Sequence, residues 1–177
     1  MINIDSLNYF IDHYYFYIKL INWFLIWTLC EYWMHRLMHF NHKYNFLYHI
    51  HKYHHYIPIE SLISADKRLP KFSYFFFWFE NLNETIEIVV GETLPALLIF
   101  YIDQEVGKYI LIFHYFYELL ATDSLLEHNP DINNKLIINT LAIGQFHLEH
   151  HRRQNKNFGF TITLWDHIFG TYGDMSK

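Results

Sequence analysis

The chain has 177 residues, enough for one domain with a sizeable core and few for a multifunctional enzyme, and its net charge of −5 with no basic stripe argues against a nucleic-acid partner. Cys30 is its one cysteine, which excludes an internal disulfide and argues against a thiolate metal site. Aromatic residues reach 21%, and rings with polar tips favour a membrane boundary, whereas the near-neutral mean hydropathy argues against uniformly apolar spans.

No basic region precedes the first apolar run, so a cleaved signal peptide is not expected. Residues 1–13 alternate polar and aromatic side chains and are expected to form an interfacial lead-in. In residues 14–34 only Lys19 and Glu31 are charged. A run of about 20 residues rising ~1.5 Å each crosses a hydrocarbon layer of ~30 Å, so this run is expected to span a membrane. The alternative is a buried helix of a soluble bundle.

Beyond the histidine-rich stretch that follows, Pro58, Pro70 and the patch SADKRLPK read as a loop, and FSYFFFWF at 72–79 reads as an interfacial helix. Residues 84–102 are apolar apart from Glu84, Glu87 and Glu92, with a kink expected at Pro95. The turn DQEVGK then leads into residues 109–126, which completes a helical hairpin able to cross and return. Glu92, Glu118 and Asp123 count against that crossing, because charges in lipid are costly and normally face a protein interior. A short apolar helix is expected over 135–146, and residues 158–172 read as an irregular C-terminal cap.

The histidines carry the chemistry. Residues 31–55 hold His35, His39, His51, His54 and His55 as well as His42 and His49, half of the chain's fourteen. His35 and His39 are four apart. The spacing HxxHH occurs at His51, His54 and His55 and again at His147, His150 and His151. On a helix, residues at i, i+3 and i+4 share a face, so each group is expected to aim two or three imidazoles at one point. Imidazole suits zinc, copper, nickel and iron, and eight nitrogen donors exceed what one ion takes, which implies two metals.

A one-sided topology follows. If residues 14–34 cross once and the hairpin crosses twice, all three histidine groups lie on one side. Of the thirteen Lys and Arg residues, all but Lys19 and Lys108 fall there too. The excess of basic residues makes that side cytoplasmic. The expected fold is therefore all-α: an integral-membrane helical bundle of about three spans with a cytoplasmic histidine-rich helical cap holding a di-metal site, all in a single domain over 1–177.

HRLMH at 35–39, LYHIHKYHH at 47–55 and HLEHHRRQNKNFGFTITLWDHIFGTY at 147–172 together resemble the fatty acid hydroxylase and sterol desaturase superfamily, the integral-membrane di-iron oxygenases. The tail after the third box is the most specific part, since metal spacing gives it no reason to match. The resemblance covers roughly 31–172. It implies that His128, in LEHN at 126–129, joins the eight boxed histidines as a ligand, although Asn129 and Pro130 replace the small residues the family places there. The gap from His39 to His51 is longer than usual, which leaves His42, His49 and also His114 as open questions.

The resemblance further implies two iron ions as cofactors, with zinc as an alternative occupant, and dioxygen as co-substrate. The reaction would be hydroxylation or desaturation of an unactivated C–H bond in a membrane lipid such as a sterol or fatty acyl chain. Glu31, Glu149, Asn157 and Asp166 are the candidates to orient the imidazoles through their other nitrogens. No GxGxxG fingerprint or electron-carrier segment is present, so a separate donor of cytochrome b5 or ferredoxin type is expected. A partner or a second copy of the chain would supply contacts missing from a short family member. The expected location is an endoplasmic reticulum or bacterial inner membrane. Two other readings stay open: an acyl-lipid desaturase of the other membrane di-iron group, and a non-catalytic zinc-binding membrane protein of the same fold.

Overall fold

The computed structural model describes residues 4–64, 70–79, 81–121 and 125–173, with the side chains of 4–13 and 64 excepted. Most of the expected SADKRLPK loop, together with Asp123, lies outside these residues. Among them the regular structure is helical, apart from one isolated bridge between Leu141 and Ile162.

Helix α1, Ile4–Met38, has 35 residues and is about 52 Å long. It takes in the backbone of residues 4–13 of the expected lead-in, because nothing in IDSLNYFIDHYY breaks a helix. α1 ends at a double cap: Asn45 donates through Nδ2 to the carbonyls of Leu37 (2.7 Å) and Phe40 (2.9 Å), and its Oδ1 accepts from Tyr48 N at the start of α2. Orphan groups at both helix ends are satisfied by one side chain. Helix α2, Phe46–His55, is thereby folded back so that His51 and His55 face His35 and His39.

α3, Ile59–Ser64, is short, and the expected interfacial helix after it reduces to one 3₁₀ turn, Phe72–Phe76, closed by Phe77 in the left-handed region. Asn81 caps the next helix by accepting from Asn83 N and Glu84 N. That helix runs unbroken over Leu82–Ile102 and is built of α4 (Leu82–Ile88), a π turn (Val89–Thr93) and α5 (Leu94–Ile102). The ring of Pro95 is accommodated by the widened turn before it, so the chain continues without a break. Among the described residues this is the one helix long and apolar enough to cross a membrane.

Only Asp103 separates α5 from α6, Gln104–Ala121, so α6 takes up most of the expected turn DQEVGK, while Leu125 and Leu126 of the expected helix lie outside α6. The close approach needs Gly107, where a Cβ would lie 2.3 Å from the Phe100 backbone. α1 packs along the α5–α6 hairpin through Trp27, Ala96, Ile99, Val106 and Ile110, with Phe24 and Trp23 beside them. At the turn Lys19 pairs with Asp103 (3.0 Å) and Glu105 (2.7 Å), and Trp23 Nε1 donates to Asp103.

The expected helix over 135–146 divides in two. α7, Lys135–Ile138, ends after one turn, and α8, Gln145–Arg152, begins beyond Gly144. Between them the Leu141–Ile162 bridge and the bond from Ala142 N to Thr161 O tie the segment to the C-terminal cap. That cap, with α9 at Leu164–Ile168, docks on α1. Trp165 Nε1 donates to Thr28, the Tyr32 hydroxyl is bonded to Thr171 (2.9 Å), and the rings of Tyr32 and Phe169 stack at 5.2 Å.

Candidate metal centre

Two histidine clusters meet between α1, α2 and α8. The first joins His35 and His39 from α1, His51 and His55 from α2, and His150 from α8; the second joins His54, His128, His147 and His151. Within each, the donor atoms all lie within 4.8 Å of one another. The clusters share a wall, with the rings of His55 and His151 4.6 Å apart.

Each HxxHH box is divided between the two clusters instead of serving one. On a helix the i+4 residue lies about 40° from the first, while the i+3 residue lies about 60° to the other side. Thus His51 and His55 face the first cluster and His54 the second, whereas on α8 His147 and His151 face the second and His150 the first. The repeated spacing produces two crossed pairs.

The hydrogen bonds show which nitrogens are available. His35 donates through Nδ1 to the Phe158 carbonyl (2.9 Å), His150 through Nδ1 to the Lys156 carbonyl (2.6 Å), and His51 through Nδ1 to Glu87 (2.5 Å). A neutral ring that donates at Nδ1 carries a bare lone pair at Nε2. Those lone pairs face one another. The Nε2 atoms of His39 and His150, of His51 and His39, and of His55 and His51 are each 2.9 Å apart, and His35 lies 3.2 Å from His51 and 3.3 Å from His39. In the second cluster His151 Nε2 lies 3.1 Å from those of both His128 and His147.

Nitrogens about 2.1 Å from one ion and at right angles around it would be about 3.0 Å apart. The observed separations, 2.9 to 3.3 Å, match. Acceptors turned toward a common point at that spacing are what a cation organises, so the residues fit a metal in each cluster. Electrostatics agree. Burial, then the neighbouring His51 and His54, hold His39 down to about 3. Burial and adjacent imidazoles likewise push His55, His150 and His151 below the ordinary histidine range. The rings stay neutral and able to ligate.

All nine histidines expected as ligands fall in the two clusters. His42 and His49 are exposed and outside both, and His114 lies deeper in the helical hairpin. The expected orienting residues fare differently. Asp166 accepts from Phe158 N, Gly159 N and the Thr171 hydroxyl, each at 2.7 Å, and so holds the loop whose Phe158 carbonyl orients His35. Asn157, at φ +59°, donates to Phe146 O and accepts from Gly173 N, which fixes the backbone next to the Lys156 carbonyl that orients His150. Both act through backbone and touch no imidazole.

Glu31 and Glu149 do neither. Glu31 is turned toward Thr161 and Glu118, while the nitrogens of His35 are occupied by Phe158 and the cluster. Glu149 is paired with Arg152 and Arg153. The carboxylate that does reach an imidazole is Glu87, on α4, which sequence reasoning registered only as a charge in an apolar run. Glu127 was also missed. Its Oε1 lies 3.4 Å from His147 Nε2 and its Oε2 4.0 Å from His128 Nδ1, which makes it an oxygen donor at the edge of the second cluster. A carboxylate inside an otherwise apolar segment is itself a signal of function, and Glu87 carried it.

Beside the second cluster opens a cavity of about 280 Å³. His54, His128 and Glu127 line one part of it, Ile57, Leu62, Ile88 and Phe160 give it apolar surface, and the carboxyl groups of Glu84, Glu87, Glu92 and Glu118 complete the lining.

Two imidazole clusters able to hold metal ions, beside a cavity in a helical bundle, define a metal-binding helical protein. The family model described as fatty acid hydroxylase matches residues 20–171, and the chain belongs to that family. No curated protein and no solved structure matches it.

Proposed function

We propose that the protein is a di-iron, dioxygen-dependent oxygenase that hydroxylates an unactivated C–H bond of a membrane lipid. The observation that carries this reading is the pair of adjacent imidazole cages with their lone pairs turned inward. When bound, two irons supply the means to activate dioxygen and oxidise a C–H bond; the chain supplies everything that aims and shields that chemistry.

Phe158, Lys156 and Glu87 hold the rings of His35, His150 and His51 in one tautomer, with Nε2 toward the metal. The cavity admits an acyl or sterol segment along Ile57, Leu62, Ile88 and Phe160, and brings one carbon to the side of the second cage formed by His54 and His128.

The bundle spans the membrane three times in this reading, by α1, Leu82–Ile102 and α6. Ile21, Leu98, Ile112 and Phe116 point outward from these helices, as lipid-facing side chains do. From Lys19, paired at the hairpin turn, to His35 is about 24 Å along α1, close to a hydrocarbon thickness. The cages then sit at the cytoplasmic face, where a separate electron donor reaches them.

The test is product analysis of lipids incubated with iron-loaded protein, reductant and ¹⁸O₂. A lipid carrying one added ¹⁸O, absent with the variant His54→Ala/His150→Ala, supports hydroxylation. Loss of two hydrogens would assign desaturation instead. Folded, iron-loaded protein that changes no lipid would overturn the oxygenase reading.

A further inference from the structure

A third cluster lies apart from the histidine cages, inside the hairpin. Glu92, His114 and Glu118 are all buried, and one donor atom from each falls within 4.8 Å of the others. His114 Nδ1 is 3.9 Å from Glu92 Oε2 and 3.7 Å from Glu118 Oε1, both too long for a hydrogen bond. His114 and Glu118 share a face of α6 at i and i+4. Glu92 joins them because the π turn Val89–Thr93 adds a residue to the helix, so that Glu87 and Glu92, five apart, both face inward. The opened turn frees the Glu92 carbonyl to accept from Trp27 Nε1 at 3.1 Å.

His114 Nε2 meets the Thr93 hydroxyl at 2.9 Å, so Nδ1 is the ring nitrogen left to face the carboxylates. That Nδ1 is buried and has no hydrogen-bond partner. It faces the carboxyl groups of Glu92 and Glu118. Glu92 is buried and hydrogen-bonded to Glu118, and the carboxylates of Glu31 and Glu127 also act on it.

We propose that Glu92, His114 and Glu118 form a third metal site, for one divalent first-row transition ion, separate from the two histidine cages. Donors about 2.2 Å from an ion and about 120° apart are about 3.8 Å from each other, which the measured 3.7 and 3.9 Å match. Two carboxylates cancel the charge of a divalent ion, and the mixed oxygen and imidazole set suits zinc, manganese or iron(II). Glu92 and Glu118 also line the cavity that His54 and His128 line. The ion therefore has protein on three sides and an open position toward the cavity, where it would take an oxygen ligand.

The experiment counts metal per chain after detergent-purified protein is loaded with manganese(II) and freed of excess, alongside electron paramagnetic resonance of the bound ion. Wild type is expected to hold three equivalents, Glu92→Gln/Glu118→Gln two, and His54→Ala/His150→Ala one with the spectrum of an isolated ion. Glutamine keeps the shape and removes buried charge, so folding is spared; the single variant Glu92→Gln must lower the count in the same direction and serves if the double variant does not accumulate. A count that neither glutamine variant changes overturns the third site and means that the carboxylates hold protons. The cages are judged separately by the histidine variant. Wild type with two equivalents, both lost there and neither lost on Glu92→Gln, would remove the third site and leave the cages standing.

Discussion

Glu87 offers the sharpest single-residue test of how the first cage is organised. Its Oε1 lies 2.5 Å from His51 Nδ1, and His51 is 2% exposed, so the bond is charge-assisted and screened from water. Glu87→Gln can still accept from Nδ1–H but loses the charge. The difference between a charged and a neutral bond is about 1–2 kcal/mol, and about 1.4 kcal/mol is tenfold in affinity. Glutamine should therefore weaken metal retention about tenfold. Alanine leaves the buried Nδ1–H bare and frees the ring to turn, and should cost about a hundredfold. The assay is competition of metal-loaded protein against a chelator of known affinity, with Glu60→Gln, on the exposed side of α3, as control. If folded Glu87→Gln and Glu87→Ala both hold metal as wild type does, Glu87 does not orient a ligand and the tautomer argument for His51 fails.

Three further outcomes follow from the same geometry. Because His39 is held to about 3, and His55, His150 and His151 are also lowered, the unfolded chain binds protons near pH 6.5 that the folded cage refuses. Metal-free protein should keep full stability above that pH and lose about 1.4 kcal/mol per unit for each such histidine as pH falls below it, and unfolding at pH 7.5 and 5.5 checks this. Gly144→Ala places a Cβ 2.5 Å from Ile132 at φ +61°, directly before the third box, and should cost at least about 2 kcal/mol in chemical unfolding along with metal from both cages. Asp166→Asn puts an amide donor against the backbone N–H of Phe158 or Gly159; about 2–3 kcal/mol of stability and weaker metal retention are expected, and a variant with wild-type melting and metal content would contradict the loop's role.

The eight boxed histidines were legible because their chemistry repeats at helical spacing, whereas His128 and the tail FGFTITLWDHIFGTY were legible because they resemble a family pattern. Why that tail has its form becomes visible only in the fold: Asp166 binds the Phe158 and Gly159 amides, and Trp165 and Phe169 dock on α1. The division of each box between two cages was not legible, since spacing reports which residues share a face and not what stands opposite. Glu87 lies 36 positions from His51, and Glu127 depends on how the chain turns after α6, so no local rule pairs either with a histidine. Glu31 and Glu149 illustrate the converse. They are close in sequence to ligands, yet Glu31 is turned toward Thr161 and Glu118, and Glu149 pairs with arginines. The π turn was hidden too, because the partner of its Glu92 carbonyl is Trp27, 65 positions away on α1.

The central claim is that nine imidazoles form two adjacent metal cages. Metal content of detergent-purified protein from iron-supplemented cells, beside His54→Ala/His150→Ala with one ligand removed from each cage, tests it most directly. The account predicts that the variant, still folded, holds two equivalents fewer than wild type. A variant that keeps the wild-type metal content, or a folded wild type that holds none, would contradict it.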